Sequence, residues 1–570
     1  MPVLGINSYA HDSSAAIVEE DGTVIAAAEE ERFTRRKHTG EFPQEAIRFC
    51  LAHAGMGWPE VSRVAFSFDP WLQFRTRFLY GLRHLPESLS FGRHSKTLFQ
   101  PFFLKQKLRS TFPESFSRRR PLHFVNHHLA HAASTFFTSP FERAAVLTVD
   151  GAGEWATTVL SRGEGNQILP LEEINYPHSL GFLYGAVTQL LGFRACYDEG
   201  KVMALAAYGR PCLMKEFESL IHLEPDGGFQ LHLKYFEFHR GSPCWYSQEM
   251  SNLLGRVREN GEPIETRHHD MAATLQAVIE KALLGLARRI HRLTGLSDLC
   301  LAGGVALNCT ANGMLLRESP FQRIFVQPAS GDGGTSLGAA LLVAHRLKSQ
   351  TRNGAMAGAY LGPAFSEWEM EEALRAQGLT YRKASEIEES VAELLTEGKT
   401  IGWFQGRMEF GPRALGARSI LADPRDAGKR DYLNRKIKSR EAFRPFGPSV
   451  LEEEAGDIFE ISHKSPFMLF ATPVRPQAKP LIPAVVHQDG SSRIQTVSKA
   501  ATPRYWKLIQ AFKRRTGVPL ILNTSFNLKD EPIVCTPQDA AQSFKRSQLD
   551  YLAIGPFLAS RNGKDSPGPL

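Results

Sequence analysis

Short runs of alternating or continuous apolar residues open the chain, and longer stretches with helical spacing follow each group of them. VLGINSYAHDSSAAIVEEDGTVIAAAEEERF, from Val3, predicts strands joined by hairpins, with Asp21-Gly22 as one turn. The apolar spacing of QEAIRFCLAHAGM, from Gln44, predicts a helix. VLTVDGAGEWATTVLS, from Val146, predicts a second strand pair, and MAATLQAVIEKALLGLARRIHRLTG predicts a long amphipathic helix ended by Gly295. DLCLAGGVALNCTANGML then reads as a buried strand meeting a glycine turn and a helix. GDGGTSLGAALLVAHRL reads as a glycine loop opening a helix, whose first backbone amides suit an anion. This alternation predicts a mixed α/β fold. The polar, glycine-rich LKSQTRNGAMAGAYLGPAF, from Leu347, marks a boundary, giving domains 1–347 and 361–570 around a linker at 348–360. Strands and helices resume beyond it, and the tail RNGKDSPGPL is expected to fray. No internal repeat or low-complexity tract is visible.

A chain of 570 residues exceeds what one core organises, in keeping with two domains. Hydrophobic content of 42% and charged content of 22% are those of a globular protein, and no apolar run approaches the ~20 residues of a membrane span. MPVLGINSYAHDSS reads as a buried strand rather than a signal peptide. Seven cysteines without a CxxC pair argue against a zinc ribbon and a secreted disulfide scaffold, so the cytoplasm is expected. The net charge of +7 is largely local, in KQKLRS from Lys105, RRR from Arg118 and KRR from Lys513. Without a nucleic-acid module or interleaved aromatics, these charges predict phosphate-bearing small molecules rather than nucleic acid or a membrane as partners.

The chemistry concentrates in a few places. In HHLAH, His127 and His131 stand four residues apart, on one face of a helix and within reach of one cation. The turns NSYAHDSS and DGAGE, the second holding Asp150 and Gly151, are of small residues whose backbone amides can approach phosphate. Followed by LAGGVALN with Gly303 and Gly304, they come in the order of actin/Hsp70/sugar-kinase ATPases. Asp150 and Asp332 are carboxylates that, with two imidazoles, suit iron, manganese or zinc; Asp332 alternatively caps the helix it precedes. Further on, Arg413 and Arg418 in GPRALGARS, Arg444 in FRPFGPS and Arg493 in DGSSRIQ lie in small, turn-forming frames that suit a dianion. Lys438 adds a point charge, and Asn523 and Ser525 end an apolar strand.

FVNHHLAH, VDGAGE, GKVMALAAYG, LAGGVALNCTANG, EFGPRALGARSIL, REAFRPFGPS and VPLILNTSFN together resemble the O-carbamoyltransferases of antibiotic biosynthesis and nodulation, the NodU/CmcH/TobZ type, from Val3 to about Gly555. The resemblance implies an N-terminal Kae1-like ASKHA domain, actin/Hsp70-like with duplicated RNase H-like halves, and a C-terminal YrdC-like α+β domain. It implies an ATP-dependent enzyme that makes carbamoyl adenylate from carbamoyl phosphate and ATP in its second domain. The first domain then moves the carbamoyl group to a hydroxyl of a small natural product or sugar. His127, His131, Asp150 and Asp332 would hold a divalent metal, expected to be iron, with Mg²⁺ accompanying ATP. Asn308 and Asn312 would contact the nucleotide and Met468 its adenine; Lys37 would lie by its phosphates or the carbamoyl group. His11, beside Asp12 in the first turn, is the expected general base, and Lys201 a holder of acceptor or phosphates. Arg413, Arg418, Lys438, Arg444, Arg493, Asn523 and Ser525 would bind carbamoyl phosphate. A homodimer is compatible with this reading. Segments 68–120 and 210–268 are expected to shape the acceptor pocket. The alternatives are a threonylcarbamoyl-type tRNA-modifying transferase, a hydrogenase-maturation carbamoyltransferase, disfavoured by the missing zinc-finger cysteines, and a non-enzymatic ATP-gated binding protein.

Overall fold

The same sheet is built twice in the first part of the chain. Strands β1 (Val3–Asn7), β2 (Ser14–Val18) and β3 (Val24–Glu29) form an antiparallel meander, and β4 (Arg63–Phe66) and β5 (Leu122–Phe124) add parallel to β1, in the order β3-β2-β1-β4-β5. Strands β6 (Arg143–Val149), β7 (Ala156–Glu164) and β8 (Gln167–Asn175) repeat the meander. After a small ribbon of β9 (Ile221–Leu223) and β10 (Phe229–Leu231), β11 (Asp298–Ala302) and β12 (Arg323–Val326) add parallel to β6, giving β8-β7-β6-β11-β12. Two copies of one three-antiparallel, two-parallel topology are what a duplicated RNase H-like fold requires. β1 and β11 are buried along their whole length, as continuous apolar runs in the middle of a covered sheet should be.

The computed structural model describes residues 2–83, 100–113, 121–259, 261–347, 355–356 and 358–561. The RRR run from Arg118, most of the expected linker and the tail from 562 lie outside them. The helix expected from Gln44 spans Gln44–His53, and the long one spans Thr266–Thr294, closed by Gly295 in the left-handed conformation. Two glycine contacts set the geometry around the later site. Gly338, in the helix Thr335–Leu347, lies where a Cβ would stand 1.8 Å from the Ala130 carbonyl oxygen, so this helix packs directly on the backbone of the helix His127–Phe136. Gly303, at φ +94°, lies where a Cβ would stand 2.2 Å from the Val149 oxygen, bringing the end of β11 against the end of β6.

The chain divides into two compact units: Met1–Glu30 with His38–Met356, and Glu31–Lys37 with Ala357–Leu570. Seven residues of the N-terminal segment thus belong to the second unit, an exchange that a single cut near residue 350 does not anticipate. Inside that unit the Arg32 guanidinium donates to the Gly411 oxygen at 2.8 Å, and Arg35 donates to the Pro532 and Ile533 oxygens at 2.8 and 2.7 Å. Phe33 packs on Met408, Ile533 and Cys535.

The second unit is organised on one mixed sheet, whose strands are β13 (Thr380–Lys383), β14 (Ile401–Phe404), β15 (Arg418–Ala422), β16 (Gly447–Leu451), β17 (Phe470–Pro473), β18 (Ser491–Val497), β19 (Leu520–Ser525), β20 (Tyr551–Ile554) and β21 (Phe557–Ser560). Their order is β13-β21-β20-β14-β15-β19-β16-β18-β17. Its core gathers Trp403, Phe446, Phe512, Leu522 and Leu552. The apolar strand LILNTS, β19, sits in the interior of this sheet, and its last residues emerge at the strand end.

Candidate functional site

In the first unit, four side chains from three separate segments converge. Asn126 caps the helix His127–Phe136 by accepting the Leu129 N–H at 2.8 Å, and the helix then presents His127 and His131 on one face. The Nε2 atoms of the two imidazoles lie 3.1 Å apart. Asp150, at the end of β6, brings Oδ2 to 3.1 Å from His127 Nε2 and 3.5 Å from His131 Nε2. Asp332 brings Oδ1 to 3.6 and 3.7 Å from the same two nitrogens. One donor atom from each residue lies within 4.8 Å of all the others, and all four residues are buried.

This arrangement fits a cation. Separations of this size are those between ligands around one ion with ~2.1 Å bonds. Asp332 Oδ1 is buried and has no hydrogen-bond partner, although it points at the group. Two imidazole nitrogens and two carboxylate oxygens suit iron, manganese or zinc. The other Asp150 oxygen, Oδ1, accepts the Gly304 N–H at 2.8 Å, which ties the histidine helix, the DGAGE turn and the GG turn together. Burial works against the Asp150 carboxylate, but hydrogen bonds from His127 and His131 hold it well below its usual range. Burial likewise works against the His127 cation, and the charges of Asp332 and Asp150 outweigh it, pushing the imidazole up to about 9.

His128, between the two, is part of the framework. It hydrogen-bonds the Thr148 hydroxyl through Nδ1 at 2.8 Å and donates from Nε2 to the Ala156 oxygen at 2.9 Å. Burial, then the neighbouring His127 and His131, push it down to about 3, so it is neutral.

His11 and Asp12 reach the same centre. His11 Nδ1 is 3.0 Å from Asp12 Oδ2, and His11 Nε2 is 3.6 Å from Asp332 Oδ2. Asp12 also pairs with His38 Nδ1 at 2.7 Å through its other oxygen. The Asp332 charge, opposed by burial, pushes His11 up to about 10, so its protonation follows whatever neutralises Asp332. Tyr9, Asp12, His38 and Cys196 all adopt left-handed backbone conformations, which non-glycine residues hold only where the surroundings impose them. Lys201, in the helix Glu199–Ala206, forms an ion pair with Asp198 at 3.0 Å, and Glu199 accepts the Cys196 N–H at 2.6 Å.

The expected nucleotide contacts are built into the frame of the GG turn. The Asn308 side chain caps the helix Cys309–Glu318 through the Ala311 N–H and exchanges two hydrogen bonds with Gln276. Asn312 donates to the Ala306 oxygen at 2.7 Å. Gly151 offers its carbonyl to the Ser179 hydroxyl at 2.7 Å.

The second unit gathers cations. Lys438 Nζ is buried and donates to the Ser525 backbone and hydroxyl oxygens and to both the backbone and side-chain oxygens of Asn527. Burial, then Arg440, Arg444 and Lys37, push it well below the usual lysine range. Arg440 is lowered by burial and then by Arg444 and Arg493, and Lys37 chiefly by burial. These cations therefore act on one another, with Glu441 3.8 Å from Arg444 and with Glu31 and Asp530 acting on Lys37. Arg440 escaped the sequence reading because KSREAF lacks the glycine frame that distinguished the others.

The loop carrying Arg413 is held by Glu409, whose Oε1 accepts the Leu415, Ala417 and Arg418 N–H groups at 2.7, 2.7 and 3.2 Å. Arg418 departs from the role expected of it. It is fully buried over the Phe404 ring, and its guanidinium donates to the carbonyls of Pro363, Gln405, Gly406, Ala417 and Cys535. A fully buried guanidinium shared among five carbonyls is an internal tie of the fold. Asn523 is also interior, donating toward Ala414, Ser449 and Gln495. Met468 is buried 3.4 Å from where a Cβ on Gly447 would lie, beside the Arg493 backbone.

Comparison with known proteins gives the arrangement a family. The carbamoyltransferase N-terminus matches residues 2–341 and the carbamoyltransferase C-terminus matches residues 392–561. An uncharacterised protein of Synechocystis is 43% identical, with 99% of this chain and 97% of its own length covered. Nodulation protein NolNO of Sinorhizobium fredii is 40% identical over 97% of this chain and 80% of its own length. Nodulation protein U of Rhizobium tropici is 29% identical over 97% of this chain and 95% of its own. Among solved structures, HypF of T. kodakarensis shares 15% identity at a TM-score of 0.30, covering 61% of this chain and 48% of that one. With the two family regions matched in order along most of its length, the chain belongs to the carbamoyltransferase family and is a carbamoyltransferase.

Proposed function

We propose that the protein is an ATP-dependent O-carbamoyltransferase that makes carbamoyl adenylate in its second unit and transfers the carbamoyl group to a hydroxyl in its first. The observation that carries this is the mutually repelling cation group Lys37, Lys438, Arg440, Arg444 and Arg493, which a polyanionic substrate would stabilise. Carbamoyl phosphate and ATP together supply such charge. Water releases carbamate and phosphate from the first, and a carbamate oxygen then attacks the α-phosphorus of ATP and expels pyrophosphate. Arg413, on the loop that Glu409 holds, and Ser525, beside Lys438, are the further anion contacts of this reading.

Transfer belongs to the His/Asp centre. His127, His131, Asp150 and Asp332 would hold a divalent ion, with iron as our assignment; such an ion supplies a Lewis acid for the carbonyl oxygen. His11, oriented by Asp12, handles the acceptor hydroxyl proton while the acceptor oxygen attacks the carbamoyl carbon and AMP departs. Gly151, the Gly303–Gly304 turn and the adjoining Asn308 and Asn312 frame the nucleotide. The acceptor is a small hydroxyl-bearing molecule, a sugar or other natural product, in line with relatives named as nodulation proteins. None of the seven cysteines lies in a disulfide, which favours the cytoplasm; among the described residues, no helix is long and apolar enough to cross a membrane.

Pyrophosphate release with ATP and carbamoyl phosphate tests the reading. It should require both substrates, and chelation should abolish carbamoylation of the acceptor. If chelation leaves both adenylation and transfer intact, the metal assignment fails; carbamoylation of tRNA instead would overturn the small-molecule acceptor.

A further inference from the structure

The DGAGE turn holds a second carboxylate, Glu154, that the transfer chemistry above does not use. It is 4% exposed, and among the described residues its hydrogen-bond partners are N–H donors from other parts of the first unit. Its Oε1 and Oε2 accept the His127 backbone N–H at 3.0 and 3.1 Å. Oε2 accepts Asn126 Nδ2 at 2.9 Å, and Oε1 accepts the Asp69 N–H at 2.7 Å. A helix leaves its first N–H groups without internal partners, and a carboxylate there also meets the positive end of the helix dipole. Asn126 satisfies the Leu129 N–H, and Glu154 satisfies that of His127 itself. Glu154 therefore fixes both the backbone of one imidazole and the side chain that caps its helix.

The carboxylate lies four residues after Asp150 in the same turn, so it fixes the distance between the two halves of the donor set. The turn is closed by the Gly153 N–H to the Ala156 oxygen at 2.9 Å and the Asp150 N–H to the Thr157 oxygen at 2.9 Å. The next residue, Trp155, packs its ring 5.5 Å from Tyr80 and 5.6 Å from Tyr176. The Glu154–Trp155 step thus also anchors the segment running from Asp69 to Tyr80, within the region expected to shape the acceptor pocket.

We propose that Glu154 is the positioning residue of the His127/His131 centre, registering the histidine helix against the Asp150 turn and the Asp69 segment. The proposal rests on the metal reading above and adds the residue that pre-organises it. Outer partners of this kind are worth about 10- to 100-fold in metal affinity. Gln is nearly isosteric but directs an amide NH₂ at backbone N–H donors, so it cannot serve all of them.

The test uses the full chain stripped of metal and titrated with Co²⁺, followed by its visible absorption, with amide hydrogen exchange of the metal-free protein as a second readout. Glu154→Gln should bind Co²⁺ 10- to 100-fold more weakly and exchange the His127 amide faster, with unchanged absorption per bound ion. Asn126→Ser keeps a helix cap but removes the amide donor to Glu154, and should shift both readouts the same way by less; it also serves if the first variant folds poorly. Wild-type Co²⁺ affinity and His127 exchange in Glu154→Gln would overturn the proposal. A wild-type protein that takes up no Co²⁺ would defeat the metal reading, and the exchange measurement would still decide the role of Glu154.

Discussion

The two functional regions handle charge in opposite ways. In the first unit, acids and imidazoles alternate around one point: Asp150 and Asp332 push His127 up to about 9, and His127 and His131 hold Asp150 down. In the second, burial and then neighbouring cations push Lys438 and Arg440 down, with Glu441 among the nearby acids. The first set joins two carboxylates to two imidazoles, and it is built on a helix, a hairpin turn and a glycine turn. The second is a group of cations, which on the proposed reading an anion would complete. Two carboxylates with two imidazoles suit a resident divalent ion, whereas a cluster of like charges suits an anionic substrate that enters and leaves.

This contrast is breakable at several points. The largest effect is expected from His131→Ala, which should lower carbamoyl transfer by ~100-fold or more, the scale seen when a transition-state charge stabiliser is lost. Lys438→Met should lower pyrophosphate release by ~10- to 100-fold, as loss of a charged hydrogen-bond donor does, while Co²⁺ binding at the first centre stays as in wild type. Equal loss of pyrophosphate release and of transfer in His131→Ala would erase the distinction between the sites.

Arg418→Met should act on stability rather than on substrate affinity. Removing the guanidinium leaves buried carbonyls unpaired and should cost about 3 kcal/mol in urea unfolding, with the KM for carbamoyl phosphate little changed in the folded fraction. A large KM effect at full stability would return Arg418 to the anion site. The smallest effect concerns His487 in the second unit, which burial pushes down to about 4 despite Asp489. Its folded value lies below the unfolded value of ~6.5, so unfolding takes up a proton between those limits. Stability should therefore be full above that window and fall as pH drops from ~6.5 toward 4, and His487→Gln should flatten the slope. An unaltered slope in urea titrations across this range would remove His487 as its source.

Side-chain chemistry with short spacing was legible in the sequence. HHLAH, DGAGE and GDGG each carry their donors at fixed offsets, and the structure brings His127, His131, Asp150 and Asp332 together. The duplicated sheet was expected from the family resemblance and is present, but its strand order was not legible in the local pattern, because it depends on pairings such as β1 with β4 and β6 with β11, which different residues satisfy equally well. The transfer of Glu31–Lys37 to the second unit depends on contacts some 380 to 500 residues away, such as Arg32 to Gly411 and Arg35 to Ile533, beyond any local pattern. Arg418 misleads because a guanidinium in a glycine frame serves backbone carbonyls as readily as phosphate. Glu154 and Glu409 were overlooked for the converse reason: an acid in a turn resembles a solvated charge until its N–H partners are known.

The division of labour between the two units is the central claim, and a single-turnover reaction of the His131→Ala protein with ATP and labelled carbamoyl phosphate tests it most directly. The account predicts pyrophosphate release at close to the wild-type rate, accumulation of labelled carbamoyl adenylate and no label on the acceptor. Loss of pyrophosphate release together with transfer, or label reaching the acceptor at the wild-type rate, would contradict it.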